Sequence, residues 1–197
     1  LMPATVNVLE GSNFTAGLDA GGTAAILEKL PSVSSTHAGT GRNKLFIRGI
    51  ADSGFTGPTQ ATVGQYLGEM RVNYNAPDPD LRLYDINSVE VMEGPQGTLY
   101  GAGSLGGIIR ANPHLPNLSQ AQAVASYSVA STAHGDESAD GHVVVNVPIV
   151  PDRIAVRLLG YGAREGGYID DVERGLKDVN GIDIVGGRGI ISIAPNE

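Results

Sequence analysis

Two kinds of periodicity divide the chain. From about residue 121 onward, apolar and polar positions alternate. Ala121, Ala123, Ala125, Tyr127 and Val129 interleave with Gln122, Ser126 and Ser128. Val143 to Val147 is a further apolar run after a polar gap at 134–142, and Pro148 to Asp152 reads as a tight turn. Ile154, Val156 and Leu158 then share one face, with Arg157 and Tyr161 on the other, and Ile191 and Ile193 interleave with Ser192 and Ala194. A period of two predicts antiparallel strands, each with one apolar and one more polar face. That pattern suits a soluble sandwich, or a membrane barrel with lipid outside and water inside.

The first 120 residues mix periods. Val6 to Leu9 predicts a short strand. Between Leu18 and Leu30, the spacing of Ala24, Ile26, Leu27 and Leu30 predicts a helix closed by Pro31, with Gly21-Gly22 weakening its first half. Residues 33–43 read as a loop, 44–50 as a strand, 51–62 as a loop, 63–72 as a strand and 73–80 as a third loop. Residues 81–87 predict a short helix. Ser88 to Met92 is a strand ending at Gly94-Pro95, and 106–110 is another, stopped by Pro113 and Pro116. The sum is a small mixed α+β domain with long loops, followed by antiparallel strands.

Composition narrows the partners. The 197 residues carry a formal net charge of −8, with no basic patch to displace counterions from phosphates, which argues against nucleic acid. No run approaches the ~18 apolar residues of a membrane-crossing helix. Without cysteine there is no disulfide or thiolate chemistry. No charged-then-apolar leader precedes Leu1-Met2-Pro3, so the opening reads as a trimmed mature segment.

Several local motifs fail their own structural requirements. Gly101 to Gly106 matches G-x-G-x-x-G, but a dinucleotide site needs a helix after it and an acid about 20 residues on. Here Gly107-Ile108-Ile109-Arg110 and two prolines follow, and the next acid is Asp136. Ser104 sits in a near miss to the nucleophile elbow G-x-S-x-G, with Ala102 in place of the first glycine and again no helix behind it. His134, His142, Asp136, Glu137 and Asp140 offer metal-ligand chemistry in a spacing that suits a solvated hairpin tip better. The expectation is no catalytic residue, no metal and no cofactor.

The run Asn87-Ser88-Val89-Glu90-Val91-Met92-Glu93-Gly94-Pro95-Gln96-Gly97-Thr98-Leu99-Tyr100-Gly101-Ala102-Gly103-Ser104-Leu105-Gly106-Gly107-Ile108-Ile109 resembles the plug-domain signature of TonB-dependent outer-membrane receptors. Leu30-Pro31-Ser32-Val33 is similar to that family's L-P-G-V, and Phe46-Ile47-Arg48-Gly49-Ile50 to its I-R-G strand, in matching order. Arg164 to Asp170, then Asp178-Val179-Asn180, resemble its early barrel strands. The resemblance marks Arg48, Gly49, Glu90, Glu93, Gly94, Pro95, Tyr100, Gly101, Gly106 and Gly107 as signature positions.

It implies an α+β plug, a small mixed sheet with short helices and long loops, over residues 1–118. Residues 119–197 would be the first antiparallel strands of an incomplete transmembrane β-barrel. Such plugged barrels have about 22 strands, so the chain reads as a truncated receptor or one part of a split one. The implied function is energy-coupled uptake of a scarce nutrient, a ferric siderophore or similar small molecule, across the outer membrane of a Gram-negative bacterium. Implied partners are the TonB–ExbB–ExbD complex and the remaining barrel strands or a partner chain, with no TonB box expected ahead of Pro3.

By position, loops 34–43, 51–62 and 73–80 match the family's ligand-facing apices. They offer His37 and Arg42, Phe55 and Gln60, and Tyr74 and Asn75 as substrate-binding candidates. Arg42 supplies a planar cationic fork, and Phe55 and Tyr74 supply stacking surface. The family usually carries Arg or Lys where Glu93 stands, pairing with acidic groups of the barrel wall, so a carboxylate there implies either a basic wall partner or a local base. Arg48 is the first candidate and Arg110 the second. The alternative is a soluble periplasmic or secreted ligand-binding module with a β-sandwich tail. A sandwich must bury Ile154, Val156 and Leu158, whereas a barrel fragment exposes them.

Overall fold

The computed structural model describes residues 5–14, 21–39, 41–51, 59–75 and 77–195. The chain divides into two units, Leu1–Pro113 and His114–Glu197.

The first unit is built on a five-stranded sheet. Its middle strands are β6 (Ile86–Glu93) and β7 (Gly107–Pro113), paired antiparallel with Glu90 opposite Arg110. Outside β6 lies β1 (Thr5–Glu10), antiparallel from Thr5 opposite Glu93 to Glu10 opposite Ser88. Outside β7 lies β4 (Val63–Leu67), which runs parallel to it and turns back into β5 (Met70–Arg71). A separate ladder joins β2 (Val33–Ser35) to β3 (Leu45–Ile47). Helix α1 (Thr23–Lys29) precedes β2, and a single helical turn, α2 (Gly97–Tyr100), sits between β6 and β7.

The core forms on one sheet face, where alternation places Val89 and Val91 of β6, Ile109 and Ala111 of β7 and Val63 of β4. Ile26 and Leu30 from the α1 region, Val33, Leu45 and Ile47 from the β2–β3 ladder, and Leu83 close over it. Among the described residues, no helix is long and apolar enough to cross a membrane.

Several predicted elements differ. The residues buried on α1 are Thr23, Ala25 and Ile26, with Leu30 buried just after it, while Ala24 faces outward. Residues 81–87 form no helix. The Leu81 amide donates to the Thr23 hydroxyl, Leu83 and Tyr84 are buried, and Asp85 adopts φ 56° to launch β6. Tertiary contacts override a local propensity too weak to hold so short a segment. The 63–72 strand folds back at Gly68 into β4 and β5, and the 33–43 loop contains β2. The strand at 44–50 stops at Ile47, because Arg48 and Gly49 turn with φ of 53° and 70°.

The second unit is an antiparallel meander of β8 (Gln122–Ser131), β9 (Glu137–Val150), β10 (Ile154–Glu165) and β11 (Ile182–Ile193), in the order β11-β10-β9-β8. It is an open sheet, with β8 and β11 each paired on one side. The polar gap at 134–142 closes early, since β9 already begins at Glu137 and carries His142 within the ladder. The turn expected at 148–152 is displaced to Pro151–Arg153 after a bulge beside Pro148.

Register shows which residues share a face. One row runs Ala123, Val145, Leu158, Gly189, and a neighbouring row runs Val147, Val156, Ile191. This apolar face stands open. Leu158 is 53% exposed, Ile191 65% and Val185 88%. The opposite face carries Ser126, His142 and Tyr161 in one row, the buried Val144 and Leu159 with Val124 in the next, and Gln122, Asn146 and Arg157 in the row after that. Of the three discriminating residues Leu158 is exposed and Ile154 and Val156 are half-buried, so none is buried as a sandwich tail requires.

Candidate functional site

Glu93 ends the core-facing row of β6, two residues beyond Val91. A carboxylate there leaves water, so it must be fully hydrogen-bonded or costly. It is 5% exposed, and each oxygen is claimed. Arg48 brings Nε to 2.6 Å and Nη2 to 2.5 Å, both on Oε2. Ser32 Oγ donates at 2.7 Å and Asn7 Nδ2 at 2.8 Å, both to Oε1. Arg48 Nη2 also reaches Thr5 Oγ1 at 3.0 Å. The Ser32 hydroxyl first, then Arg48 and Asn7, hold the Glu93 carboxyl below its ordinary range, against the opposing effect of burial. The expected partner, Arg48, is therefore the one found. The fork is spent on one oxygen rather than spread over two. Arg48 keeps half its side chain exposed and accepts a left-handed backbone to reach this position.

Arg110, the second candidate, serves another carboxylate. On the sheet face opposite the core it lies 2.6 Å from Glu90 and 3.2 Å from Glu69, while Asn112 Nδ2 holds the other Glu90 oxygen at 2.9 Å. The hydrogen bond to Glu90 raises the Arg110 pKa further above its ordinary value.

The glycine run is a packed connector. The Gly94 amide donates to the Gly106 carbonyl, and that of Gln96 to Ser104. Arg71 Nη1 donates to the carbonyl of Ala102 at 2.6 Å, while Tyr66 and Tyr100 meet edge to face at 5.3 Å. Two glycines are compulsory. At Gly107, φ is 144° and a Cβ would stand 2.2 Å from the Met92 carbonyl oxygen. At Gly103, φ is 77° and a Cβ would stand 2.5 Å from Arg71 Nη2. The run leads into a strand, as expected, and Ser104 gives its proton to the Gly101 carbonyl at 2.7 Å. Pro95 and Gly101 are exposed, and Gly49 lies beside Arg48 in the turn.

The ligand-facing candidates fall into two groups. Gln60 and Asn75 form a backbone bridge, and Tyr74, exposed beside them, has the Arg71 guanidinium 4.8 Å above its ring. His37 and Arg42 are exposed on the hairpin between β2 and β3, where Thr36 and Lys44 pair across its neck. Phe55 lies outside the described residues. The hairpin meets the first group through Lys44 Nζ, which donates to Thr59 Oγ1 at 2.6 Å. A cavity of about 10 Å³ remains between them, lined by Lys44, Phe46, Thr59, Gln60, Thr62 and Asp78. That is room for one water.

Sequence reasoning missed Asp78 and Asn73, which are buried beneath these loops. Asp78 Oδ2 accepts the Leu45 amide at 2.7 Å, and Oδ1 accepts Asn73 Nδ2 at 2.7 Å. Asn73 in turn accepts the Gln65 amide and donates to the Val63 carbonyl. Burial pushes the Asp78 carboxyl up, against the lowering by the Leu45 amide, Asn73 and nearby Lys44. The local signal is only Pro77-Asp78-Pro79-Asp80, which reads as any polar loop.

In the second unit, Asp136 accepts from Arg164 at 3.2 Å, and Asp140 accepts from the Ser128 hydroxyl. Among the described residues, no group of three or more His, Asp or Glu is placed to hold a metal.

Residues 2–108 match the family model described as the TonB-dependent receptor plug domain. The fold is shared with solved structures. The ferric yersiniabactin uptake receptor FyuA from Yersinia pestis superposes with a TM-score of 0.78 at 20% identity, covering 98% of this chain and 29% of that one. The siderophore receptor PirA from Acinetobacter baumannii gives 0.73 at 16% identity, with 98% and 29% covered. The copper transporter OprC gives 0.71 at 16% identity, with 98% and 28% covered. The chain thus spans under a third of the length of each. With a plug sheet built on β6 and β7, a glycine connector closed against it and a family match over more than half its residues, the chain belongs to the TonB-dependent receptor plug domain family.

Proposed function

We propose that this chain is the plug and first wall strands of an outer-membrane transporter of a Gram-negative bacterium. Residues 1–118 form the plug, and 119–197 the opening strands of the barrel. It takes up a scarce small-molecule nutrient, with a ferric siderophore the leading candidate, and it is not an enzyme. Uptake draws on the TonB–ExbB–ExbD complex, which acts on the plug from the periplasmic side. The observation that carries this reading is the exposed apolar face of the meander, with Val145, Leu158 and Ile191 on it, following in sequence on a plug sheet. Lipid covers such a row at no cost in unsatisfied backbone, provided the sheet closes on itself.

His37, Arg42, Gln60, Tyr74 and Asn75, with Phe55, form the ligand-facing surface in this reading. Similarity in fold to a ferric yersiniabactin uptake receptor, a siderophore receptor and a copper transporter supports a search among iron and other metal complexes. The test joins the chain to the strands that complete its barrel, in a Gram-negative host lacking its own siderophore receptors. Growth on ferric siderophores as the iron source, abolished by deleting TonB, is the expected result. TonB-independent growth, or none on any metal complex while the barrel assembles in the outer membrane, refutes it.

A further inference from the structure

We propose that Asp78 is the positioning residue that sets the two halves of the ligand-facing surface relative to each other. The proposal rests on the reading of those loops as ligand-facing, and adds to it a buried group that no ligand need touch.

The halves come from segments far apart in the sequence. His37 and Arg42 ride on the β2–β3 hairpin. Gln60, Tyr74 and Asn75 ride on the segments entering β4 and leaving β5. Asp78 bonds to both. Its amide donates to the Asn43 carbonyl at 2.7 Å and its Oδ2 takes the Leu45 amide, which fixes the hairpin. Its Oδ1 takes Asn73 Nδ2, one residue before Tyr74.

Asn73 cannot turn over to suit another partner. Its Oδ1 is held by the Gln65 amide at 2.7 Å and its Nδ2 by the Val63 carbonyl at 2.8 Å, both in β4. Two fixed donors, Leu45 N–H and Asn73 Nδ2–H, therefore converge on Asp78, which meets each with a separate oxygen. It does so despite a burial that disfavours its charge. The surrounding charges are accounted for. Lys44, the nearest cation, is held by Thr59, and Asp80 is bonded to Arg82 at 3.1 Å and to the Thr23 amide at 2.9 Å.

The test is residue-resolved hydrogen exchange on the whole 197-residue chain in detergent. In Asp78→Ala, both donors lose their acceptor. The Leu45 and Gln65 amides should then exchange at least tenfold faster, while those of Val91 and Ile109 in the central sheet hold their rates. A pH profile separates positioning from general support. Opening the loops returns Asp78 to water, where its pKa falls to an ordinary value. In the native chain the corrected protection of the Leu45 amide should therefore rise as pH drops through the Asp78 titration. In Asp78→Asn, which cannot titrate, the same profile should be flat.

Unchanged Leu45 and Gln65 rates in Asp78→Ala would overturn the proposal. So would equal acceleration throughout the sheet, or a pH step that survives in Asp78→Asn. No ligand enters the measurement, so its failure counts against Asp78 alone. Failure of the ligand-facing reading shows instead in the growth assay above.

Discussion

Replacing Glu93 by alanine should detach β1 before it harms the rest of the sheet. The carboxylate has four donors: two nitrogens of Arg48, the Ser32 hydroxyl and Asn7 Nδ2. Arg48 is half exposed and can turn to water, so its loss is discounted to the range of a surface pair, under about 1 kcal/mol. Ser32 Oγ and Asn7 Nδ2 are half-buried donors that both end on Glu93 Oε1. A buried donor left unmatched costs about 1–3 kcal/mol. Half-buried donors sit at the lower end of that range, about 1 kcal/mol each, so together with Arg48 the change should cost about 2–3 kcal/mol. At about 1.4 kcal/mol per tenfold, the β1 amides should exchange roughly 30-fold faster or more. β1 is the strand that suffers because it is an edge strand, with Val6 and Val8 exposed and Leu9 its contribution to the core.

Glu93→Gln should cost less, since one oxygen remains, and should separate the charge from the hydrogen bonds. The Glu93 pKa is lowered in the folded chain, so its contribution is complete above its ordinary value of 4.5 and is lost as pH falls through the lowered native value. The gap between native chain and Glu93→Gln should therefore be constant near neutral pH and close in acid. The reasoning is wrong if Glu93→Ala changes β1 exchange by less than threefold. It is equally wrong if the gap to Glu93→Gln widens as the pH drops.

Gly107→Ala should prevent folding, because a Cβ 2.2 Å from the Met92 carbonyl oxygen cannot be relieved by side-chain movement; Gly97→Ala, with nothing within 4 Å, is the control that should fold normally by circular dichroism. Arg71→Ala should loosen the 97–106 connector by about 1–2 kcal/mol, read as faster exchange of the Gln96 and Gly106 amides with β6 unchanged, since it removes the bond to the Ala102 carbonyl and the cation above Tyr74. Residues 121–197 expressed alone should aggregate without detergent, and 1–118 should run as a monomer on size exclusion; a monomeric, cooperatively folded 121–197 would contradict the barrel-wall reading.

How much was legible depends on how local each cause is. The strands of the meander announce themselves because the side-chain period of two is written residue by residue, as in Ile154, Val156 and Leu158. The Arg48–Glu93 pair was legible because a carboxylate stands where the family usually carries a base, but the route to Arg48 was not, since β3 pairs with β2 in a separate ladder and not beside β6. Residues 81–87 misled because Leu81, Leu83 and Tyr84 are apolar for reasons that lie in α1 and the core, not in their own helix. Asp78 was invisible because its meaning comes from donors 33 and five residues away, and nothing in a Pro-Asp-Pro-Asp segment announces burial. The return of β4 into β5 hides behind an unbroken run of strand-forming residues, where only Gly68 marks the turn.

The first strand of the meander differs from the last in what it offers to a neighbour. β11 presents Ile182, Ile184, Val185, Ile190, Ile191 and Ile193, whereas β8 reads Gln-Ala-Val-Ala-Ser-Tyr-Ser-Val-Ala-Ser. In a closed wall that opens with these strands, β11 pairs with the strand synthesised next, but β8 pairs with the final one. Its outer edge must therefore stay vacant for the whole of synthesis and insertion. With three alanines and three serines among its ten residues, β8 has less strand propensity than β11 to hold a stray partner, which suits the seam that closes last.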